Sequence, residues 1–214
     1  MNAKALTAEF IGTFTLIFIG AGAAALGSSL VAVAFAHGCV LLGLVYSYGP
    51  ISGTHINPAV TIGLLVGKKI DAAGAASYIV VQLLGGVAGA AALCFVLGSR
   101  AGALGATVPA DGVGVAQAFF LEVVLTFILV STVYFAAVSG KAGNLAPIAI
   151  GLTLVACILM GGPLTGASLN PARSLGPALF SDAPNALSTL WIYFLACPLG
   201  GVLAALAYRG LGDH

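Results

Sequence analysis

Only 6% of the 214 residues are Asp, Glu, Lys or Arg, where a soluble globular domain carries about a quarter. So little charge cannot cover a water-facing surface. With 60% hydrophobic residues and a mean hydropathy of +1.14, the chain reads as an integral membrane protein. A net charge of +1 leaves no basic surface for nucleic acid and no polybasic patch for a membrane surface. Cysteine is also scarce. Cys39, Cys94, Cys157 and Cys197 lie inside apolar runs at spacings that match no metal site, so they read as small buried hydrophobes rather than a disulfide framework. Three histidines in all, no Ser/His/Asp set and no ligand cluster leave an intramembrane enzyme without candidates, and neither cofactor nor metal is expected. The opening "MNAKALTAEFIGTFTLIF" mimics a signal peptide, but its residues recur later in the chain, so it is expected to remain in the fold.

What is abundant is apolar sequence in long blocks. A helix needs about 20 apolar residues to cross the hydrocarbon core, and six stretches qualify: 6–25, 30–49, 74–98, 115–138, 144–162 and 186–208. Only two of them contain a charge, Glu9 and Glu122. With the N-terminus in the cytoplasm, the inner segments hold Lys4, Lys68, Lys69, Lys141 and Arg209, and the outer loops hold only Arg100, Arg173 aside. That is the positive-inside asymmetry, and it places both termini in the cytoplasm.

The two halves repeat one another. Glu9, Thr13 and Phe14 recur as Glu122, Thr126 and Phe127 at an offset of 113; Gly53 recurs as Gly166, and Asn57, Pro58 and Ala59 as Asn170, Pro171 and Ala172, at the same offset. "LGGV" at 84–87 returns at 199–202, an offset of 115. Matches at one spacing indicate a duplication, with repeats of about 1–100 and 114–214 in one transmembrane domain covering 1–214. Three spans per half is an odd number, so the second half sits upside down relative to the first. The fold expected is all-α, with six transmembrane helices in an inverted three-plus-three repeat.

Each Asn-Pro-Ala triplet precedes an apolar stretch too short to cross, "AVTIGLLVG" and "ARSLGPALF". Such segments fit re-entrant half-helices, tolerated at depth only when buried in protein or lining a water-filled cavity. Asn is a strong N-cap and Pro suits the first helical position, so Asn57 and Asn170 are predicted caps of two half-helices that meet by their positive ends near the midplane. Water passing between the two side-chain amides would offer them its oxygen. Files of water on either side would then be oriented oppositely, which breaks proton hopping while water passes.

"SGTHINPAVT" and "TGASLNPARS", with "AEFIGTF" opening the first span and "LEVVLTF" in the fourth, resemble the aquaporin (major intrinsic protein) family over nearly the whole chain. The resemblance implies a homotetramer with one pore per protomer, in which half-helix dipoles and an arginine exclude protons and cations. It also implies an outer constriction formed here by His37, Ile158, Ala167 and Arg173. The residues agree on depth: His37 lies eight residues into the second span, roughly 12 Å down; Ile158 lies near the outer end of the fifth, and Ala167 and Arg173 flank the second triplet. Many water-selective members carry Phe and His where this chain has His37 and Ile158. The set here is similar to that of plant tonoplast intrinsic proteins and implies that ammonia or other small neutral solutes pass beside water. A core histidine bonded within the bundle is the other reading of His37. Glycerol-conducting relatives usually carry Asp after the arginine; here Ser174, with Ala178 beyond it, follows the water-channel pattern.

Carboxylates at membrane depth suggest a proton relay. The favoured reading of Glu9 and Glu122 is scaffold: they accept hydrogen bonds from the re-entrant loops, whose backbone is otherwise unpaired. His55, two residues before Asn57, is expected to orient its loop, and the abundant Gly and Ala to permit close helix crossing. The expectation is a passive water channel in the plasma membrane, in contact with water, small neutral solutes and the lipid bilayer and with no nucleic-acid partner. The alternatives are a glycerol or small-solute facilitator and, less favoured, a coupled secondary transporter.

Overall fold

The computed structural model describes residues 2–98 and 102–212; Arg100, the charge assigned to an outer loop, lies outside them. Six of its helices are long and apolar enough to cross a membrane. In chain order the helices are α1 (Ala3–Ala25), α2 (Leu30–Ser52), α3 (Pro58–Val66), α4 (Ala72–Leu97), α5 (Val115–Thr132), α6 (Ala146–Thr165), α7 (Pro171–Phe180) and α8 (Leu190–Leu211). The two short ones, α3 and α7, are the re-entrant half-helices. Large apolar side chains point outward from the bundle, Phe95 at 89% exposure and Phe120 at 69%. In water that arrangement would be an aggregation liability; in lipid it is the expected surface.

Local chemistry starts and stops the spans. Ser29 Oγ caps α2 by accepting from Ala32 N at 3.3 Å, and Asp71 Oδ1 caps α4 by accepting from Gly74 N at 2.6 Å. α2 and α6 run beyond their expected ends at 49 and 162, through Pro50 and Pro163, to Ser52 and Thr165. Each proline removes one donor, but Gly53 N–H donates to Gly49 O (2.9 Å) and Gly166 N–H to Gly162 O (3.1 Å), closing the last turn. Both glycines are left-handed, φ 83° and 78°, a conformation they adopt without a Cβ penalty. The last span begins at Leu190 rather than 186, because Asn185 is left-handed (φ 65°) and its carbonyl accepts from Thr189 N at 2.9 Å in a turn. The fourth span covers 115–138, its final six residues, Val133–Val138, in a wider π turn.

The inverted repeat is visible in how the helices touch. α2 and α6 cross where a Cβ on Gly38 would strike the carbonyl of Gly151 and one on Gly151 the carbonyl of Gly38. The two glycines are 113 residues apart, so each half supplies the same contact to the other. Gly86 of α4 meets the Ala172 carbonyl of α7, and Gly201 of α8 meets the Ala59 carbonyl of α3 in the same way. Small residues let backbones approach where lipid gives no hydrophobic drive for association. Polar ties fasten the half-helices to the long ones, as where Tyr134 Oη donates to the Gly63 carbonyl at 2.7 Å in a buried site. Tyr134→Phe leaves that carbonyl with one partner fewer, at about 1 kcal/mol. Its thermal unfolding midpoint in detergent should fall by about 2–4 °C, with water flux unchanged.

Candidate functional site: a lumen between two half-helices

α3 and α7 meet head to head. Asn57 Oδ1 caps its own helix by accepting from Ala59 N at 2.8 Å; Asn170 Oδ1 accepts from Ala172 N at 3.0 Å and Arg173 N at 3.4 Å. Pro58 and Pro171 follow at the first helical position. The side-chain nitrogens cross over: Asn57 Nδ2 donates to Leu169 O (2.8 Å) and Asn170 Nδ2 to Ile56 O (3.0 Å). A carboxamide nitrogen carries two hydrogens. One on each Asn locks the halves together and the second is left for the cavity that both residues line.

The loops leading into the half-helices are strained in matching ways. Thr54 and Ile56 have φ of 49° and 40°; Ala167 and Leu169, 113 residues on, have 43° and 55°. A left-handed conformation is a genuine outlier for a β-branched residue such as Ile56, and persists only where the surroundings over-determine it. The surroundings here are the two buried carboxylates. Glu9 accepts from His55 N (2.8 Å), Ile56 N (2.6 Å), Ser52 Oγ (2.7 Å) and Gln82 Nε2 (2.8 Å). Glu122 accepts from Ser168 N (2.9 Å), Leu169 N (2.9 Å) and Thr165 Oγ1 (2.7 Å), with Cys197 Sγ at 3.6 Å. Three of the four partners correspond at an offset of 113. The fourth differs, Gln82 in one half and Cys197 in the other. Gln82 was not singled out from sequence, although an amide alone in an apolar span was the available signal. His55 is hydrogen-bonded through Nδ1 to Thr61 Oγ1 at 3.1 Å and packs edge-on against Tyr78.

One cavity is lined by His37, Ile158, Ala167, Arg173, Asn57 and Asn170 together. The guanidinium of Arg173, itself 5% exposed, donates through Nη1 to the carbonyl of Gly105 at 2.6 Å. Gly105 belongs to the loop between α4 and α5, and sequence could not nominate it, because every residue offers a backbone carbonyl. The Nδ1 of His37 lies 2.9 Å from the Val33 carbonyl. A carbonyl can only accept, so Nδ1 carries the proton and Nε2 is an acceptor in the neutral ring. That Nε2 is buried with no protein partner. Ser174 is turned from the lumen into a hydroxyl chain, 2.6 Å from both Thr107 Oγ1 and Ser168 Oγ.

Thr54, His55 and Ser168 also line the cavity, and most of the remaining wall is apolar and paired by the repeat, as Leu16 with Leu129 and Leu41 with Leu154. The pairing fails in character at the polar positions. At the shared offset of 113, His37 answers to Ile150, Ile158 to Val45, Ala167 to Thr54 and Arg173 to Val60, all lining the same cavity. The duplicated tube is therefore polarised, with the guanidinium of Arg173 at one end only; a second imidazole, that of His55, also lines the cavity.

Comparison with known proteins agrees with this architecture. The pattern of the major intrinsic protein family matches residues 1–208. The glycerol uptake facilitator protein-like 6 of Lactiplantibacillus plantarum is 42% identical over 97% of this chain and 97% of its own. A probable TIP-type aquaporin of Medicago truncatula is 43% identical over 97% of this chain and 86% of its own. The X-ray structure of the aquaglyceroporin from Plasmodium falciparum superposes with a TM-score of 0.88 at 26% identity, covering 97% of this chain and 96% of that one. With six apolar spans, two opposed half-helices and a family match over nearly its whole length, this multi-pass membrane protein belongs to the major intrinsic protein family.

Proposed function

We propose that the protein is a passive water channel that also admits ammonia or other small neutral solutes and excludes protons and ions. The observation that carries this is the single cavity lined by both half-helix caps and by His37, Ile158, Ala167 and Arg173. Largely apolar walls give water few places to bind, and polar groups hold it in file, chiefly the two Asn amides at the centre and the Arg173 guanidinium. Asn57, Pro58, Ala59, Asn170, Pro171 and Ala172 form the central orienting site on this reading. Glu9, Glu122 and His55 act as scaffold, as their bonds into the loops support. The two halves, about 1–100 and 114–214, descend from a duplication. We propose the plasma membrane as its site, both termini cytoplasmic on the positive-inside distribution, and a homotetramer by family likeness.

The second reading is a glycerol or small-solute facilitator, favoured by two of the named relatives, the glycerol uptake facilitator-like protein and the aquaglyceroporin. Water is preferred because Ser174 is engaged behind the lumen, and because the branched Ile158 and charged Arg173 line the same cavity as His37. Stopped-flow light scattering on proteoliposomes, comparing water, ammonia, urea and glycerol, separates the two. Glycerol flux rivalling water flux would reverse the order. His37→Phe exchanges an imidazole for a larger ring without Nε2. It should lower urea and ammonia passage roughly tenfold, the scale of one pocket group, and leave water within about twofold. An unchanged solute profile would remove His37 from the selectivity account.

A further inference from the structure

Resting on that channel reading, we infer that Gly20 of α1 is a positioning residue for the outer constriction, its missing side chain forming the notch in which the His37 imidazole lies. A Cβ built on Gly20 would overlap three ring atoms of His37, Cδ2, Nε2 and Cε1, with Cε1 at 2.7 Å, far inside van der Waals contact. This differs from the glycines that serve helix packing. Gly85 and Gly89 meet backbone carbonyls of α1, those of Phe10 and Phe14, whereas the nearest atoms to Gly20 all belong to the His37 side chain. The near side of the ring is fixed by the bond from Nδ1–H to Val33 O at 2.9 Å. Its far edge is held by shape alone, since Nε2 has no protein partner.

The repeat supplies an internal control. The position 113 residues after Gly20 is Val133, and the position 113 after His37 is Ile150; both line the other end of the lumen. There a side chain at the α1-equivalent position accompanies an aliphatic one. Here the larger planar ring is accommodated because its neighbour has no side chain. Arg173 is anchored separately by Gly105 O at 2.6 Å. Occupying the notch therefore moves the imidazole and not the guanidinium, and with the Nδ1 side tied down the open direction is the lumen.

The experiment is stopped-flow water and urea flux for Gly20→Ala, His37→Ala and the double variant in proteoliposomes, normalised to reconstituted protein. Gly20→Ala should cut flux on the order of tenfold by pushing the ring into the bore, and urea more than water. In the His37→Ala background the same substitution should change neither flux by more than about twofold, since the atoms it displaces are gone. Equal losses in both backgrounds, no loss in either, or misfolding of both Gly20 variants would overturn the inference, because Gly20 would then serve the helix rather than the ring. Wild-type vesicles no faster than empty liposomes would instead overturn the channel reading itself.

Discussion

Glu122→Ala should abolish water conduction and lower the thermal unfolding midpoint of the purified protein more than any other single change considered. The carboxylate holds Ser168 N and Leu169 N at 2.9 Å each and the Thr165 hydroxyl at 2.7 Å, in a site with no exposure. Two buried backbone donors left without an acceptor cost about 1–3 kcal/mol each, a large part of a domain's stability. They also hold the loop whose left-handed residues, Ala167 and Leu169, bring Leu169 O to the Asn57 amide. Glu122→Gln is the sharper variant. Whichever way the amide is turned, its NH2 faces a donor, so destabilisation should persist at reduced size. A proton relay would behave otherwise: Glu122→Gln would keep the wild-type unfolding midpoint and lose only a proton-coupled flux. Differential scanning fluorimetry with stopped-flow on the same preparation distinguishes the two.

Arg173→Val should keep water flux within a few-fold and open a leak for protons and small cations. Valine is the residue the repeat already places at the corresponding position, Val60, so the substitution fits the wall of the tube. The guanidinium it removes is pinned beside the lumen by Gly105 O. Repulsion of a second cation about 4 Å away is worth about 4 kcal/mol at an effective dielectric constant of 20. Lumen water screens part of that, leaving a leak raised on the order of ten- to hundredfold. Potential-driven sodium influx and dye-reported proton influx measure it. A variant as tight as the wild type would assign ion exclusion to the half-helices alone.

The frame of this account was legible in the chain because a duplication prints its own contact map. Residues 113 apart turn out to make equivalent contacts: Glu9 and Glu122 in the loops, Asn57 and Asn170 at the caps. The same spacing also carried Gly38 and Gly151, whose crossing at the centre of the bundle went unread because a glycine pair looks like any other in so Gly-rich a sequence. Other features left no such mark. The grip on Arg173 comes from a backbone carbonyl in a loop of different origin, Gly105, and carbonyls carry no sequence identity. The left-handed Ile56 runs against its own propensity and is imposed by Glu9 from 47 residues away. The expected ends of the second and fifth spans, 49 and 162, fall just before Pro50 and Pro163, whereas the bonds closing the last turn at Gly53 and Gly166 carry both helices past them.

The central claim is that two carboxamides facing one file of water let the solvent through and stop the proton. Proteoliposomes loaded with a pH-sensitive dye allow both to be read on one preparation, by osmotic shrinkage and by the response to an imposed pH step. The account predicts water flux far above that of empty liposomes, unsaturated and with an activation energy near that of bulk water diffusion, while proton influx stays at the lipid background. Water flux no greater than lipid alone, or proton influx that rises in step with it, would contradict the account.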